Sequence, residues 1–150
     1  SDGPAGGGYK AVAVGSLSFV FCVAPTHPLA MLRRPLTRAD LLQHTAVVVG
    51  DGARALSDRT IGLLPGQRRL TVPSMAAKIA CQIDGLGHGF LPRDCVREAL
   101  ARGTLVELAC EESRPEETFW LAWKPAATGE ALKWWRARLQ RELVPAILPG

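Results

Sequence analysis

Residues 71–92 constrain the fold of this 150-residue chain more than any other segment. They predict a short strand, a helix that begins at Ser74, a glycine stop at Gly85 and a second strand that ends at Pro92. Ser74 is a favourable N-cap residue, and none of the three residues after it is acidic. The free N–H groups and positive dipole at this helix start are therefore open to a small anion or a carboxylate. The segment indicates a ligand site rather than a catalytic one.

Strand and helix patterns alternate along the rest of the chain. Residues 17–24 form a nearly continuous apolar run, which predicts one strand buried on both faces. Thr37 and Asp40 have the spacing of a capping box, with Leu36 and Leu41 at the staple positions of a short helix. The predicted order is β-β-α-β-β-β-α-β-α-β-β-α, which indicates an α/β fold with helices on the sheet faces.

Composition places the chain among globular proteins, with 47% apolar and 21% charged residues. No apolar run approaches the ~20 residues of a membrane-spanning helix. Residues 1–8 have no signal-peptide pattern and no initial Met, so we expect a fragment or a processed chain. The four cysteines form no CxxC pair, which favours small buried side chains and a reducing cytoplasm over a disulfide framework.

The net charge is +4, and several basic residues fall in the last predicted helix, residues 129–143. A nucleic-acid interface is one interpretation of this cluster. No aromatic-interleaved basic strand or recognition-helix pattern accompanies it, so a solvated helix face is favoured. The opposite face of this helix is predicted to bury Leu132, Trp135, Leu139 and Leu143.

No catalytic, metal or cofactor motif stands out. The glycines of residues 85–89 follow a helix and precede a strand, the reverse of a dinucleotide-binding turn. The three histidines lack metal-site spacing. We expect His27 at the surface, His88 half-buried, and Asp51 in a turn between two glycines. The expectation is a protein that is not an enzyme, with neither cofactor nor metal.

Four segments in series resemble LysR-type transcriptional regulators. Residues 17–30 are similar to the strand and "hydrophobic-Pro-x-His-Pro-Leu" turn of that family, and residues 36–42 look like the following helix. Residues 80–92 resemble the "V-x-x-G-x-G-x-x-hydrophobic-hydrophobic-P" signature, and residues 103–107 fit the "G-x-L-V" strand. The resemblance runs from about Tyr9 to Leu143.

The resemblance implies a periplasmic-binding-protein-like (type II) effector domain, in which two α/β lobes with mixed sheets flanked by helices enclose a small-molecule cleft. Residues 20–115 would form the complete second, effector-binding lobe. Residues 1–19 would supply a glycine-rich lead and a strand of the first lobe, and residues 116–150 its closing strand and helix. The winged helix-turn-helix, the linker helix and the opening of the first lobe are missing from this pattern. An incomplete sheet exposes an edge and apolar surface, so we expect a homo-oligomer.

Positions that match the family's cleft follow residue by residue. They lie at the α-helix start, at the end of the following strand, and after the preceding strand: Val72, Pro73, Ser74, Met75, Phe90, Leu91, Pro92, Asp51 and Arg54. The resemblance implies that Ser74 contacts a carboxylate or aromatic acid. DNA would be bound only through the missing N-terminal region, in the cytoplasm and without membrane contact.

Two alternatives stay open at this point. A solute-binding protein of the same fold is one, and an upstream signal peptide would favour it. A small enzyme on this fold, with Asp51 or His88 as the base, is the other, because fold does not fix function.

Overall fold

The computed structural model of the chain describes residues 8–50, 64–124 and 129–138. The chain divides into two compact units, one running from Phe19 to Pro115 and the other formed by the segments on either side of it. The assignment of these units to the two lobes of an effector domain remains a prediction. In chain order the elements are β1 (Lys10–Leu17), β2 (Phe19–Val23), a 3₁₀ turn (Pro28–Met31), α1 (Arg38–Leu42), β3 (Ala46–Val49), β4 (Arg69–Val72), α2 (Met75–Ile83), β5 (Gly89–Pro92), α3 (Arg93–Arg102), β6 (Val106–Glu107), β7 (Glu117–Trp123) and α4 (Glu130–Arg138).

The larger unit is built on a mixed sheet. Strand β2 pairs antiparallel with both β5 and β6, while β3 and β4 pair in parallel. A parallel bridge between Ala46 and His88 joins the two parts, so the strand order is β4-β3-β5-β2-β6. The predicted α/β class with a mixed sheet is confirmed.

Alternate residues of β2 face two separate cores. Phe21 and Val23 pack with Leu41 of α1 and with residues of the 3₁₀ turn. Val20 and Cys22 pack on the other side with Leu91 and with apolar residues of α2 and α3. Helices therefore cover both faces of the sheet, as the continuous apolar run of β2 predicted.

Local capping signals in the sequence are confirmed. Thr37 Oγ1 accepts a hydrogen bond from the Asp40 N–H, and the Asp40 carboxylate accepts one from the Thr37 N–H, which completes the capping box of α1. Gly85 and Gly103 follow α2 and α3 with φ of 77° and 74°, a conformation that favours glycine.

The predicted single strand over residues 17–24 is wrong at its start. Leu17 belongs to β1 and pairs with Glu117, whereas Phe19 begins β2 and pairs with Pro92. The chain changes hydrogen-bonding partners at Ser18, and an uninterrupted apolar run contains no signal for such a change.

The smaller unit contains the antiparallel pair β1–β7 and helix α4. The predicted burial of Trp135 is wrong: its side chain is 50% exposed, and its ring packs edge-on against Trp134, which is also half exposed. The predicted burial of Leu132, Leu139 and Leu143 concerns side chains outside those that the structure describes. Among the helices that the structure describes, none is long and apolar enough to cross a membrane.

Candidate functional site

The N-terminal end of α2 has the open geometry that the sequence predicts. Ser74 adopts an extended backbone, and its Oγ accepts a hydrogen bond from the Ala77 N–H at 3.1 Å. The helical ladder begins with the Lys78 N–H and the Ser74 carbonyl oxygen at 3.0 Å, so the N–H groups of Met75 and Ala76 have no intrahelical acceptor. No acidic side chain lies in the first turn. This end of α2 therefore keeps its partial positive charge.

The carboxyl ends of three strands meet beside α2. Val49 and Val72 are paired at the ends of the parallel strands β3 and β4, and the Gly50 N–H extends this ladder to the Val72 carbonyl oxygen at 2.8 Å. Strand β5 runs parallel to β3 from the bridge at His88. Ligands in open α/β sheets bind at the carboxyl ends of parallel strands, which is where Ser74 lies.

Two polar side chains of α2 are buried against the sheet, and the sequence reasoning missed both. The Gln82 amide nitrogen donates to the carbonyl oxygens of Cys22 (2.8 Å) and Gly89 (3.3 Å), which attaches α2 to β2 and β5 together. One turn earlier, the Lys78 ammonium donates to the Phe90 carbonyl oxygen at 2.8 Å. Their i, i+4 spacing places both side chains on one side of α2, but it does not predict their burial, because a polar side chain beside an apolar stripe is ordinarily solvated.

The Lys78 amine is enclosed in the protein, and its residue is 7% exposed. Burial, together with the smaller effect of the nearby positive charge of Arg114, lowers its pKa from 10.5 to about 8. Gly89 makes room for it, since a Cβ at that position would lie 3.2 Å from Lys78 Nζ.

The predicted wall residues occupy different environments. Pro73 and Ser74 are exposed, Val72 is buried at the end of β4, and Met75 packs against the core below α2. Phe90 packs on the opposite face of the sheet, with its ring against Phe21. Leu91 is 0% exposed and Pro92 is buried, so both side chains lie in the interior of the larger unit. Asp51 and Arg54 lie outside the described residues.

The three histidines form a cluster away from α2. The rings of His27 and His44 lie 5.0 Å apart, and His88 Nε2 lies 3.1 Å from the carbonyl oxygen of Leu41 in α1. His27 is 5% exposed, so its predicted surface position is wrong: its Nδ1 accepts the Leu29 N–H and draws the ring into the turn. His88, predicted to be half-buried, is also fully buried. Within the described ranges, no three His, Cys, Asp or Glu side chains are arranged to hold a metal ion.

Comparison with known proteins identifies the family. The LysR substrate binding domain matches residues 2–144. The chain belongs to this family. It is 39% identical over 123 residues to the uncharacterized HTH-type transcriptional regulator YeeY of Escherichia coli K12, covering 82% of this chain and 40% of that protein. It is 35% identical over 120 residues to the HTH-type transcriptional activator AllS of Salmonella typhimurium, covering 80% of this chain and 39% of AllS. The chain thus spans about 40% of the length of these curated relatives.

Solved structures show the same fold. The regulatory domain of MetR, a LysR family regulator from Neisseria meningitidis, matches with a TM-score of 0.70 at 21% identity, over 100% of this chain and 70% of that one. Full-length LysG from Corynebacterium glutamicum, solved with the bound effector Arg, matches with a TM-score of 0.63 at 21% identity, over 99% of this chain and 50% of LysG. The fold is therefore that of LysR regulatory domains.

Proposed function

We propose that this chain is the effector-sensing part of a bacterial LysR-type transcriptional regulator and binds a small carboxylate or aromatic acid at the N-terminal end of α2. The observation that carries the proposal is the uncompensated first turn of α2 at the carboxyl ends of parallel strands. Membership of the LysR substrate binding domain family and the regulator names of its relatives support it.

Ser74 and the N–H groups of the first turn receive the anionic group in this proposal. Val72, Pro73 and Met75 line the helix start, and the β5 end from Phe90 to Pro92 supports the adjoining wall. Asp51 and Arg54, which follow β3 in the sequence, are also proposed as effector-binding residues.

The complete regulator acts in the cytoplasm as a homo-oligomer and binds DNA through an N-terminal winged helix-turn-helix. An effector alters such a protein only when it prefers one conformation over another, so its binding shifts the population toward that conformation. No catalysis is part of this function.

The regulator names of the relatives favour this function over a solute-binding protein. The alternative function as an enzyme is disfavoured for His88, one of its two candidate catalytic bases. His88 is 2% exposed, and its Nε2 is engaged with the Leu41 carbonyl oxygen. Turnover that is lost in Asp51→Asn or His88→Ala would identify an enzyme instead.

A thermal-shift screen of carboxylates and aromatic acids tests the proposal with Ser74→Ala as the variant. Removing the cap costs about 1 kcal/mol of folding free energy, and losing a hydrogen bond to a charged ligand weakens binding by roughly tenfold. We expect hits whose increase in melting temperature is smaller in Ser74→Ala than in the native chain.

Thr37→Ala is the matched control, because it removes the cap of α1 instead. It should lower the baseline melting temperature and leave the ligand-induced increase unchanged. Equal ligand-induced increases in the Ser74→Ala and Thr37→Ala variants would place the effector away from α2 and contradict the proposal.

A further inference from the structure

The 3₁₀ turn and α1 pack together on one face of the sheet, and the histidine cluster fastens them there. His27 caps the turn, His44 follows α1, and His88 directly precedes β5. The rings of His27 and His44 lie 5.0 Å apart, and His88 Nε2 reaches the carbonyl oxygen of Leu41 in α1. The contacts of this layer therefore depend on imidazole rings from both the layer and the sheet.

His27 caps the 3₁₀ turn only in its neutral form. Its Nδ1 accepts the Leu29 N–H at 3.2 Å, so this nitrogen carries no proton. Protonation would place a second N–H against that of Leu29, and the cap would be lost. Leu29, which follows the cap into the core, is 1% exposed.

The hydrogen bonds of His88 also require a neutral ring. Its Nε2 donates to the Leu41 carbonyl oxygen, which also receives the side-chain amide of Gln67 at 2.9 Å. Its Nδ1 is buried and has no hydrogen-bond partner among the residues that the structure describes. A proton on Nδ1 would therefore be a buried charge without an acceptor, which is costly.

The surrounding charges do not favour a proton on either ring. Burial, together with the smaller effect of the other histidines, lowers the pKa of both His27 and His88. The Asp40 carboxylate of α1 is engaged by Arg34, and Arg68 at the end of α1 is itself positively charged. Acid therefore adds positive charge where the described neighbours repel it or are already paired.

We propose that the histidine cluster is an acid-sensitive latch, whose protonation releases the 3₁₀ turn and α1 from the sheet while α2 and α3 stay packed on the other face. The face covered by α2 and α3 has its own core, built on Val20, Cys22 and Leu91. All three histidines of the chain belong to the cluster on the opposite face. The two faces can therefore open separately. The latch goes beyond the proposed function and does not depend on where the effector binds.

Native-state hydrogen exchange of the full chain, followed by NMR at about pH 7 and about pH 5, tests the latch. The reporters in the released layer are the amides of Ala30, Leu41 and His44, and the reporter in α2 is the amide of Asp84. Protection factors of the first three should fall roughly tenfold or more, because the open form binds protons that the closed form does not.

Low concentrations of urea distinguish release of the layer from unfolding of the whole unit. A local opening exposes little surface, so exchange in the released layer at about pH 5 should be insensitive to urea. Exchange of the Asp84 amide should increase with urea and stay slower than exchange in the layer.

Two substitutions remove the titration while keeping the contacts. His27→Asn keeps a side-chain oxygen that accepts the Leu29 N–H, and His88→Gln keeps a donor for the Leu41 carbonyl oxygen. In the double variant, protection of the layer should fall less than about threefold over the same pH range. His44→Gln replaces the least buried member of the cluster and is the matched control, which should keep the greater part of the response.

Two results would overturn the latch. The layer amides at about pH 5 could match Asp84 in both protection and urea dependence, which would mean that both faces of the sheet open together. Alternatively, the loss of protection could persist in the double variant, which would mean that the histidines are not its source. The first comparison uses the native chain alone, so it decides the question even if the double variant does not fold.

Discussion

Burial of the histidine cluster makes the larger unit sensitive to acid. Burial lowers the pKa of His88 to about 4, and burial together with His44 lowers the pKa of His27. Both rings are therefore held neutral in the folded protein at a pH where the unfolded chain begins to bind protons. Because the cluster links the 3₁₀ turn, α1 and the start of β5, its protonation acts on the whole core on that face of the sheet.

We predict that the free energy of unfolding falls as the pH drops from about 6.5 to about 4. In that range the unfolded state binds a proton at His88 and the folded state does not, so the stability contributed above pH 6.5 is lost progressively. A shift from 6.5 to about 4 corresponds to about 3 kcal/mol for this residue. Urea unfolding at a series of pH values measures the loss.

His88→Gln, which keeps a donor for the Leu41 carbonyl oxygen, should flatten this pH dependence. Native and variant curves that run parallel between pH 6.5 and 4 would show that His88 is not its source.

Ser74 and Lys78 of α2 differ in how far the sequence could predict their environments. Ser74 was predictable because capping depends on residues within one helical turn. The burial of Lys78 was not, because it depends on Gly89 and Phe90, which the strand pairing of β5 brings against α2. A lysine beside an apolar stripe is ordinarily solvated, and only the tertiary contact distinguishes this one.

At the scale of elements, the link between α2 and β5 fixes where the proposed site at the start of α2 lies relative to the sheet. Leu86 N–H bonds back to the Cys81 carbonyl oxygen, and His88 N–H bonds to the Thr45 carbonyl oxygen just before β3. Gly87 lies between Leu86 and His88, where the backbone of this link passes close to the backbone of Thr45. A Cβ on Gly87 would collide with the Thr45 carbonyl oxygen and come within 2.9 Å of Val47 Cγ2.

We therefore predict that Gly87→Ala lowers the free energy of unfolding by about 1–3 kcal/mol, because the clash is with backbone that cannot rotate away. Leu86→Ala is the neighbouring control, since Leu86 is 55% exposed, and should change stability by no more than about 0.5 kcal/mol. Chemical denaturation measures both. A Gly87→Ala variant as stable as Leu86→Ala would contradict the close approach of Gly87 to the Thr45 carbonyl oxygen.

Elements with strong local signals matched their predictions, whereas the boundary between β1 and β2, which distant partners define, did not. The helix starts at Thr37 and Ser74 and the glycine stops at Gly85 and Gly103 depend on neighbouring residues. The division of one apolar run into β1 and β2 depends on strands about 70 to 100 residues away in the sequence. Local chemistry contains no information about that choice.

At the scale of the molecule, four motifs in series identified the family, which no single motif could do. The resemblance in four segments identified the family, which the match over residues 2–144 confirms. Composition and charge alone supported only a globular protein, and the alternation of strand and helix patterns added only the α/β class. The effector remains a matter of proposal, because family membership fixes the fold and the class of ligand site without fixing the ligand.

The most direct test of the account is a two-dimensional ¹H–¹⁵N spectrum of the full chain, titrated with the tightest-binding carboxylate. Backbone amides of Met75 and Ala76 should show the largest shifts, because these are the first-turn N–H groups without an intrahelical acceptor that would bind the anion. Residues of α4 should not shift. Large shifts confined to α4, or to the histidine cluster, with α2 unaffected would contradict the assignment of the effector site.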